Sequence, residues 1–144
     1  MLEEIRRIIK TSDLAVLATS SENQPHCSLM AYIPDSGCTE IYMLTRKESR
    51  KYKYISANPL VSIMIDTRLD RPESRKSIKA LTITGSCRPA DPGRQEELIK
   101  AILARHPQLE ILTRDQDAIA IQTTISSVLL LDGVKNAFFT EPAG

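Results

Sequence analysis

Apolar residues recur along this chain with two periods, and the change from one to the other divides it into elements. Leu2, Ile5, Ile8 and Ile9 lie three and four apart, the spacing that gathers side chains on one face of a helix. Glu3 and Glu4 open that segment and Lys10 closes it, as the helix dipole favours. A short amphipathic helix is predicted. Residues 14–19 then read as a buried strand, 20–24 as a polar turn and 25–33 as a second strand, broken by Pro34-Asp35-Ser36-Gly37. Residues 40–45 form a third strand, 49–57 a helix stopped by Asn58-Pro59, and 60–66 a fourth strand. A charged loop, 67–76, precedes an alternating fifth strand at 80–86.

The second half holds the longest helix. Asp91-Pro92 is an N-cap followed by a first-turn proline, and Glu96 and Glu97 lie early. Leu98, Ile99, Ile102 and Leu103 form an apolar stripe that ends near His106-Pro107. Residues 126–132 read as the last strand, preceded by paired residues at 118–122 and followed by a loose tail after Asn136. Strands that follow one another with only short helices between them predict a small, mainly antiparallel β-barrel with flanking helices, not a doubly wound α/β sheet. Residues 63–65 and 128–131 are apolar at consecutive positions, so both faces of those strands are expected to meet something other than water. One face needs the barrel core, and the other suggests a subunit interface.

Composition narrows the class. A chain of 144 residues fits a single domain, 1–144, able to bury a core without disulfides or a structural metal. With 42% hydrophobic against 26% charged residues it is not a disordered segment. Nineteen basic and 18 acidic residues leave a formal net charge of +1, which excludes the broad basic field of a nucleic-acid binder. Any anion site must therefore be local. Cys27, Cys38 and Cys87 form no CxxC pair, which suits reduced thiols in a cytoplasm and predicts no metal site. The start of the chain is acidic and the apolar run at 14–18 is too short to span a bilayer, so a cytoplasmic protein with no membrane association is expected.

One cluster has the composition of an anion site. Arg46, Lys47, Ser49, Arg50, Lys51 and Lys53 follow a strand at the start of a helix. Arginine can hold two phosphate oxygens, lysine supplies a mobile charge, Thr45 and Ser49 offer hydroxyls, and first-turn amides add unpaired N–H groups. The competing readings are a solvated helix face and, with Tyr52 and Tyr54, a duplex-binding patch. His26 and Cys27 are neighbours on a strand, so they point to opposite faces and make a poor nucleophilic pair. Asp66, Asp70, Glu73 and Asp132 show no paired spacing, and the chain has no GxGxxG, GxxxxGK[ST], HExxH or GxSxG. Catalytic residues stay unassigned, and any hard chemistry must come from a cofactor.

The run Ile41-Tyr42-Met43-Leu44-Thr45-Arg46-Lys47-Glu48-Ser49-Arg50-Lys51, followed by Asn58-Pro59-Leu60-Val61-Ser62-Ile63, resembles the FMN-binding split-barrel family. That family includes pyridoxamine 5'-phosphate oxidase and related flavoproteins, and the likeness covers roughly residues 2–132. It implies a six-stranded antiparallel split barrel and an oxidoreductase with FMN at a homodimer interface. Its partners would be a small-molecule substrate or an electron donor such as NAD(P)H. By the resemblance Thr45 contacts the flavin, while Ser49, Arg50 and Lys51, with Arg46, hold the phosphate. His26, Ser28 and Leu29 match a second flavin-lining strand, His26 standing where the oxidases carry arginine. Lys79 and Ala80 fall where the second subunit contributes, Ala80 replacing a glutamine of the oxidases. The chain has no Trp and lacks the oxidases' C-terminal Trp- and Arg-containing segment, so vitamin B6 oxidation is not expected. Members of the family also use the deazaflavin F420 or bind haem, which leaves those cofactors, and a non-catalytic carrier or sensor, as alternatives.

Overall fold

The computed structural model describes residues 2–67, 78–133 and 136–142. It is mainly β, with a single curled antiparallel sheet and flanking helices. Helix α1 (Leu2–Thr11) buries Ile5, Ile8 and Ile9 of the stripe its spacing predicts, while Leu2, at the helix start, stays exposed. Strands β1 (Leu14–Ser21), β2 (Gln24–Ala31), β3 (Ile33–Pro34) and β4 (Glu40–Arg46) follow, then helix α2 (Arg50–Ala57). Next come β5 (Leu60–Asp66), β6 (Lys79–Pro89), helix α3 (Gln95–Arg105), β7 (Ala118–Asp132) and β8 (Asn136–Thr140). Most of the charged loop expected at 67–76 lies outside the described residues.

The sheet runs β2-β1-β5-β6-β7-β4-β3, with β8 added beside β7. Its two ends, β2 and β3, are separated in the chain by Tyr32 alone, so the sheet must curl until its edges meet. Tyr32 is fully buried at that join: its hydroxyl donates to the Ile9 carbonyl at 2.6 Å, and its own carbonyl accepts from His106 Nε2 at 2.8 Å. This is why residues 25–33 form two strands rather than one. Leu17, Ile41, Met43, Ile63, Ile65, Leu81, Ile83 and Leu130 fill the interior from both sides of the curl.

Eight strands stand among the described residues where six were expected. β3 is too short to leave a pattern in the sequence. The tail is not loose, because Asn136–Thr140 pairs with Asp132–Val128 and Phe138 packs on the core. The two segments expected at 118–122 and 126–132 are one strand of 15 residues, β7, bent by a bulge opposite Thr84 and Gly85. Asp91 makes no capping bond: Pro92–Arg94 winds as a 3-10 turn and α3 starts later. There the Gln95 carboxamide donates to the Ala90 and Ala120 carbonyls and accepts from the Ala120 amide, each at 2.9 Å.

The consecutive apolar positions separate by face. Ile63, Ile65, Val128 and Leu130 point inward, while Met64, Leu129 and Leu131 point out. Strand register aligns Leu29, Val16, Met64, Thr82, Leu129 and Phe139 in one row across the outer face. Leu29 is 70%, Met64 46% and Phe139 59% exposed, so this apolar row is uncovered in the single chain.

Candidate functional site

The site forms where β4 ends and α2 begins. Thr45 is the last fully buried residue of β4, held in register opposite Ile119 of β7. Four residues later Ser49 caps α2: its Oγ accepts from the Tyr52 amide at 3.2 Å and lies 3.0 Å from Thr45 Oγ1. Whichever hydroxyl donates across that pair, the other keeps a proton free to point elsewhere. The capped helix starts with Arg50 and Lys51, whose first-turn amides have no intrahelical acceptor. Asn58 ends α2, its amide bonding the Tyr54 carbonyl at 2.8 Å and its Nδ2 donating to Ser20 Oγ.

A cleft of about 240 Å3 opens beside this corner. Leu29, Thr45, Arg46, Ser49 and Lys51, all expected site residues, line it together. Met30, Ala31 and Leu44 complete the strand side, and Leu109 and Leu112, packed on the cluster that includes Leu44, add a second apolar wall. The lining of the cleft is thus mostly apolar, with Thr45, Arg46, Ser49 and Lys51 as its polar members. Lys51 is half-buried, and that burial lowers its ammonium pKa below the ordinary lysine value. Among the described residues no carboxylate pairs with Lys51 or with the exposed Arg50.

Arg46 has different company. Its Nε donates to Asp117 Oδ1 at 3.0 Å, and its Nη2 lies 3.2 Å from Asp115 Oδ2 and 3.5 Å from Glu48 Oε2. Asp117 raises the guanidinium pKa, and the guanidinium in turn holds the Asp117 carboxyl below the usual carboxylate range. Two expected contacts lie on the adjoining strand. His26 Nε2 is 3.3 Å from Ser28 Oγ, and the imidazole meets the Tyr54 ring of α2 edge-on at 6.0 Å. Cys27 points to the other face and is exposed.

Lys79 and Ala80 are not brought to this corner within one chain. Thr45 faces Ile119 of β7, whereas Ala80 faces Leu131, twelve residues further on and roughly 40 Å of strand away. Lys79 is also paired, Nζ lying 2.7 Å from Glu4 Oε1. His106, buried against the Tyr32 carbonyl, is structural.

The wall carrying Leu109 and Leu112 was not foreseen. It belongs to a 3-10 segment, Pro107–Thr113, that follows α3 and packs on Leu44, Leu98 and Ile102. Its only signal in the sequence is a leading proline followed by two leucines three apart, the spacing at which side chains eclipse on a 3-10 helix.

Known proteins place this geometry in context. A family model described as pyridoxamine 5'-phosphate oxidase matches residues 1–143. A curated relative from Schizosaccharomyces pombe, named a pyridoxamine 5'-phosphate oxidase homolog, is 33% identical over 87 residues, covering 54% of this chain and 46% of its own. The match thus spans about half the length of that relative. A heme binding protein from Mycobacterium smegmatis has a TM-score of 0.82 at 17% identity, covering 96% of this chain and 57% of that one. A FAD-binding protein from Mesorhizobium loti has a TM-score of 0.71 at 16% identity, covering 98% and 95%. At these identities the two structures establish the fold alone. Matched almost from end to end by the family model and built on the same curled sheet, the chain belongs to the pyridoxamine 5'-phosphate oxidase family.

Proposed function

We propose that this chain is an FMN-binding flavoprotein that works as a homodimeric oxidoreductase on a small molecule. The observation that carries the reading is Lys51, half-buried in the wall of an apolar cleft with no carboxylate partner among the described residues. A cation taken partly out of water without a counter-charge is costly, and a bound phosphate would offset that cost. Arg50, the spare hydroxyl proton of the Thr45 and Ser49 pair, and the first-turn amides complete a donor set for a dianion. Leu29, Leu109 and Leu112 supply the apolar surface that a planar ring needs and keep water from it. His26 and Ser28 do not line the cleft, but they lie on β2, the strand that carries Leu29, and would serve as further polar contacts.

A bound flavin supplies the hydride or electron exchange. The chain's own part is to bind and orient it and to place positive charge near it, which stabilises an anionic reduced ring. A donor such as NAD(P)H and an organic acceptor fit that division of labour.

Two features support a dimer. The exposed apolar row on the outer sheet face ends at Leu29, itself a cleft residue, so a second copy seated there would reach the cofactor. Lys79 and Ala80, remote from Thr45 in one chain, would contribute only from that second copy. Among the described residues no helix is long and apolar enough to cross a membrane.

The test is the absorbance spectrum of the purified protein, followed by titration with FMN. A yellow protein, or a colourless one that quenches FMN fluorescence on binding, supports the reading, and Arg50→Ala with Lys51→Ala abolishes binding. A Soret band with no flavin uptake would assign haem instead. Anaerobic mixing with NADH or NADPH then separates an oxidoreductase from a carrier, which shows no saturable turnover.

A further inference from the structure

Arg46 is the one basic residue of the cleft whose charge is already answered. Three carboxylates surround it, so the guanidinium and its partners together carry a net charge of −2, from one positive and three negative groups. A phosphate dianion approaching Arg46 would meet that negative cluster, whereas Lys51 has no such neighbours among the described residues. The position of the cluster suggests a different task. Arg46 ends β4 three residues before the Ser49 cap of α2, and Asp115 and Asp117 lie just beyond the segment that carries Leu109 and Leu112. The Lys47 amide donates to the Asp117 carbonyl at 2.9 Å, extending the β4 and β7 ladder by one step under the ion pairs. Leu109 and Leu112 themselves are held differently, by packing on the cluster of Leu98 and Ile102 of α3.

We propose that Arg46 is a positioning residue: through Asp115 and Asp117 it clamps the Leu109 and Leu112 wall against the Thr45 to Lys51 corner, setting the width of the ring cleft, and it does not hold the phosphate. This rests on the flavin reading above. It makes the pair a determinant of which ring systems the cleft accepts, because a looser wall admits bulkier or non-planar ligands and grips a flat ring less tightly.

Riboflavin, which lacks the phosphate, separates the two roles of Arg46. Fluorescence titrations of the full chain with FMN and with riboflavin are compared for wild type, Arg46→Met, Asp117→Asn, the double variant and Lys51→Met. Asp117 is not part of the cleft wall, so its substitution acts on a flavin only through Arg46 and the backbone it holds. The expected result is that Arg46→Met and Asp117→Asn each weaken both flavins by the same factor, roughly fivefold. The double variant should be no worse than either single one, as expected for two halves of one contact. Lys51→Met serves as the contrast, weakening FMN roughly tenfold or more and leaving riboflavin unchanged.

The opposite pattern overturns the proposal. If Arg46 held the phosphate, Arg46→Met would weaken FMN alone, and Asp117→Asn, by freeing Arg46 and removing a negative charge, would tighten FMN. Unchanged affinity for both flavins in Asp117→Asn would overturn it equally. Should Arg46→Met fail to fold, the sign of the Asp117→Asn effect decides. A wild-type chain that binds neither flavin removes the cofactor reading and this inference with it, whereas wild-type binding with the wrong variant pattern removes the inference only.

Discussion

Gly85 packs its bare α-carbon against the main chain of Thr124, so closely that a β-carbon there would overlap the Thr124 carbonyl oxygen and lie 2.8 Å from the Thr123 methyl. The contact sits where the β6 and β7 register slips: Thr84 faces Ser127 and Gly85 faces Ile125, leaving Ser126 as the extra residue of a bulge. That bend lets one 15-residue strand serve two neighbours, β4 along its first half and β8 along its second.

Gly85→Ala should therefore destabilise the fold by about 1 to 3 kcal/mol, the usual cost of forcing an extra carbon into a packed site. Thermal melting is the measurement. Gly37→Ala, where the nearest atoms lie 3.9 Å from an added β-carbon, should leave the midpoint nearly unchanged. Equal melting of both variants would mean that the close approach does not constrain the bend.

Ser49 joins the helix cap to the proposed phosphate site, and substitution can separate the two. Ser49→Ala removes the acceptor of the Tyr52 amide and the partner of Thr45, and should cost about 1 kcal/mol of stability. Ser49→Asp keeps a good capping acceptor, so its stability should stay within about 0.5 kcal/mol of wild type. It sets a negative charge beside the phosphate, however, and should lose FMN while retaining riboflavin. Retained FMN affinity in Ser49→Asp would move the phosphate away from this helix.

Much of the corner was legible in the sequence because its cues are local. The continuous apolar run of β4, the helical run that begins at Ser49 and the Asn-Pro stop all act within a few residues, and they set the strand and the helix on either side of the corner. What stayed hidden depends on distant partners. Arg46 reads as one more cation of a basic run until the fold brings Asp117 against it from 71 positions away. Likewise β8 forms only because β7 offers it an edge, and the two-residue β3 exists because Tyr32 is pinned by Ile9 and His106. Leu109 and Leu112 gained meaning once the 3-10 segment after α3 had placed them in the wall of the cleft.

Acid should loosen α1 before the rest of the fold. Hydrogen bonds from Arg7 and Lys79 pull the Glu4 carboxyl from its ordinary 4.5 down to about 2. Its folded pKa is thus below the unfolded one, so its contribution to stability is fully present above about pH 4.5 and is lost as pH falls toward 2. About a quarter of the Glu4 side chain remains in water, so screening keeps the expected loss to about 1 kcal/mol. Denaturant melts between pH 5 and pH 2.5, about the range of this titration, should show a smaller fall for Glu4→Gln than for wild type. Parallel curves would show that these pairs add nothing to folding.

The exposed row on the outer sheet face gives the most direct test of the dimer. Met64 and Leu129 stand near its centre, each opposite Thr82 on the strand between them. Lysine at either position would bury a charge without a partner if a second copy covers the row, at a cost of about 2 kcal/mol or more to association. Sedimentation should give wild type a mass near twice the 16.1 kDa chain and shift Met64→Lys and Leu129→Lys toward the single-chain mass. Lys100→Ala, on the exposed side of α3, should change nothing. If the partner also completes the cleft through Lys79 and Ala80, the two monomeric variants should lose flavin affinity together with their dimer mass. A monomeric variant that still binds FMN at wild-type strength would confine the cofactor site to one chain.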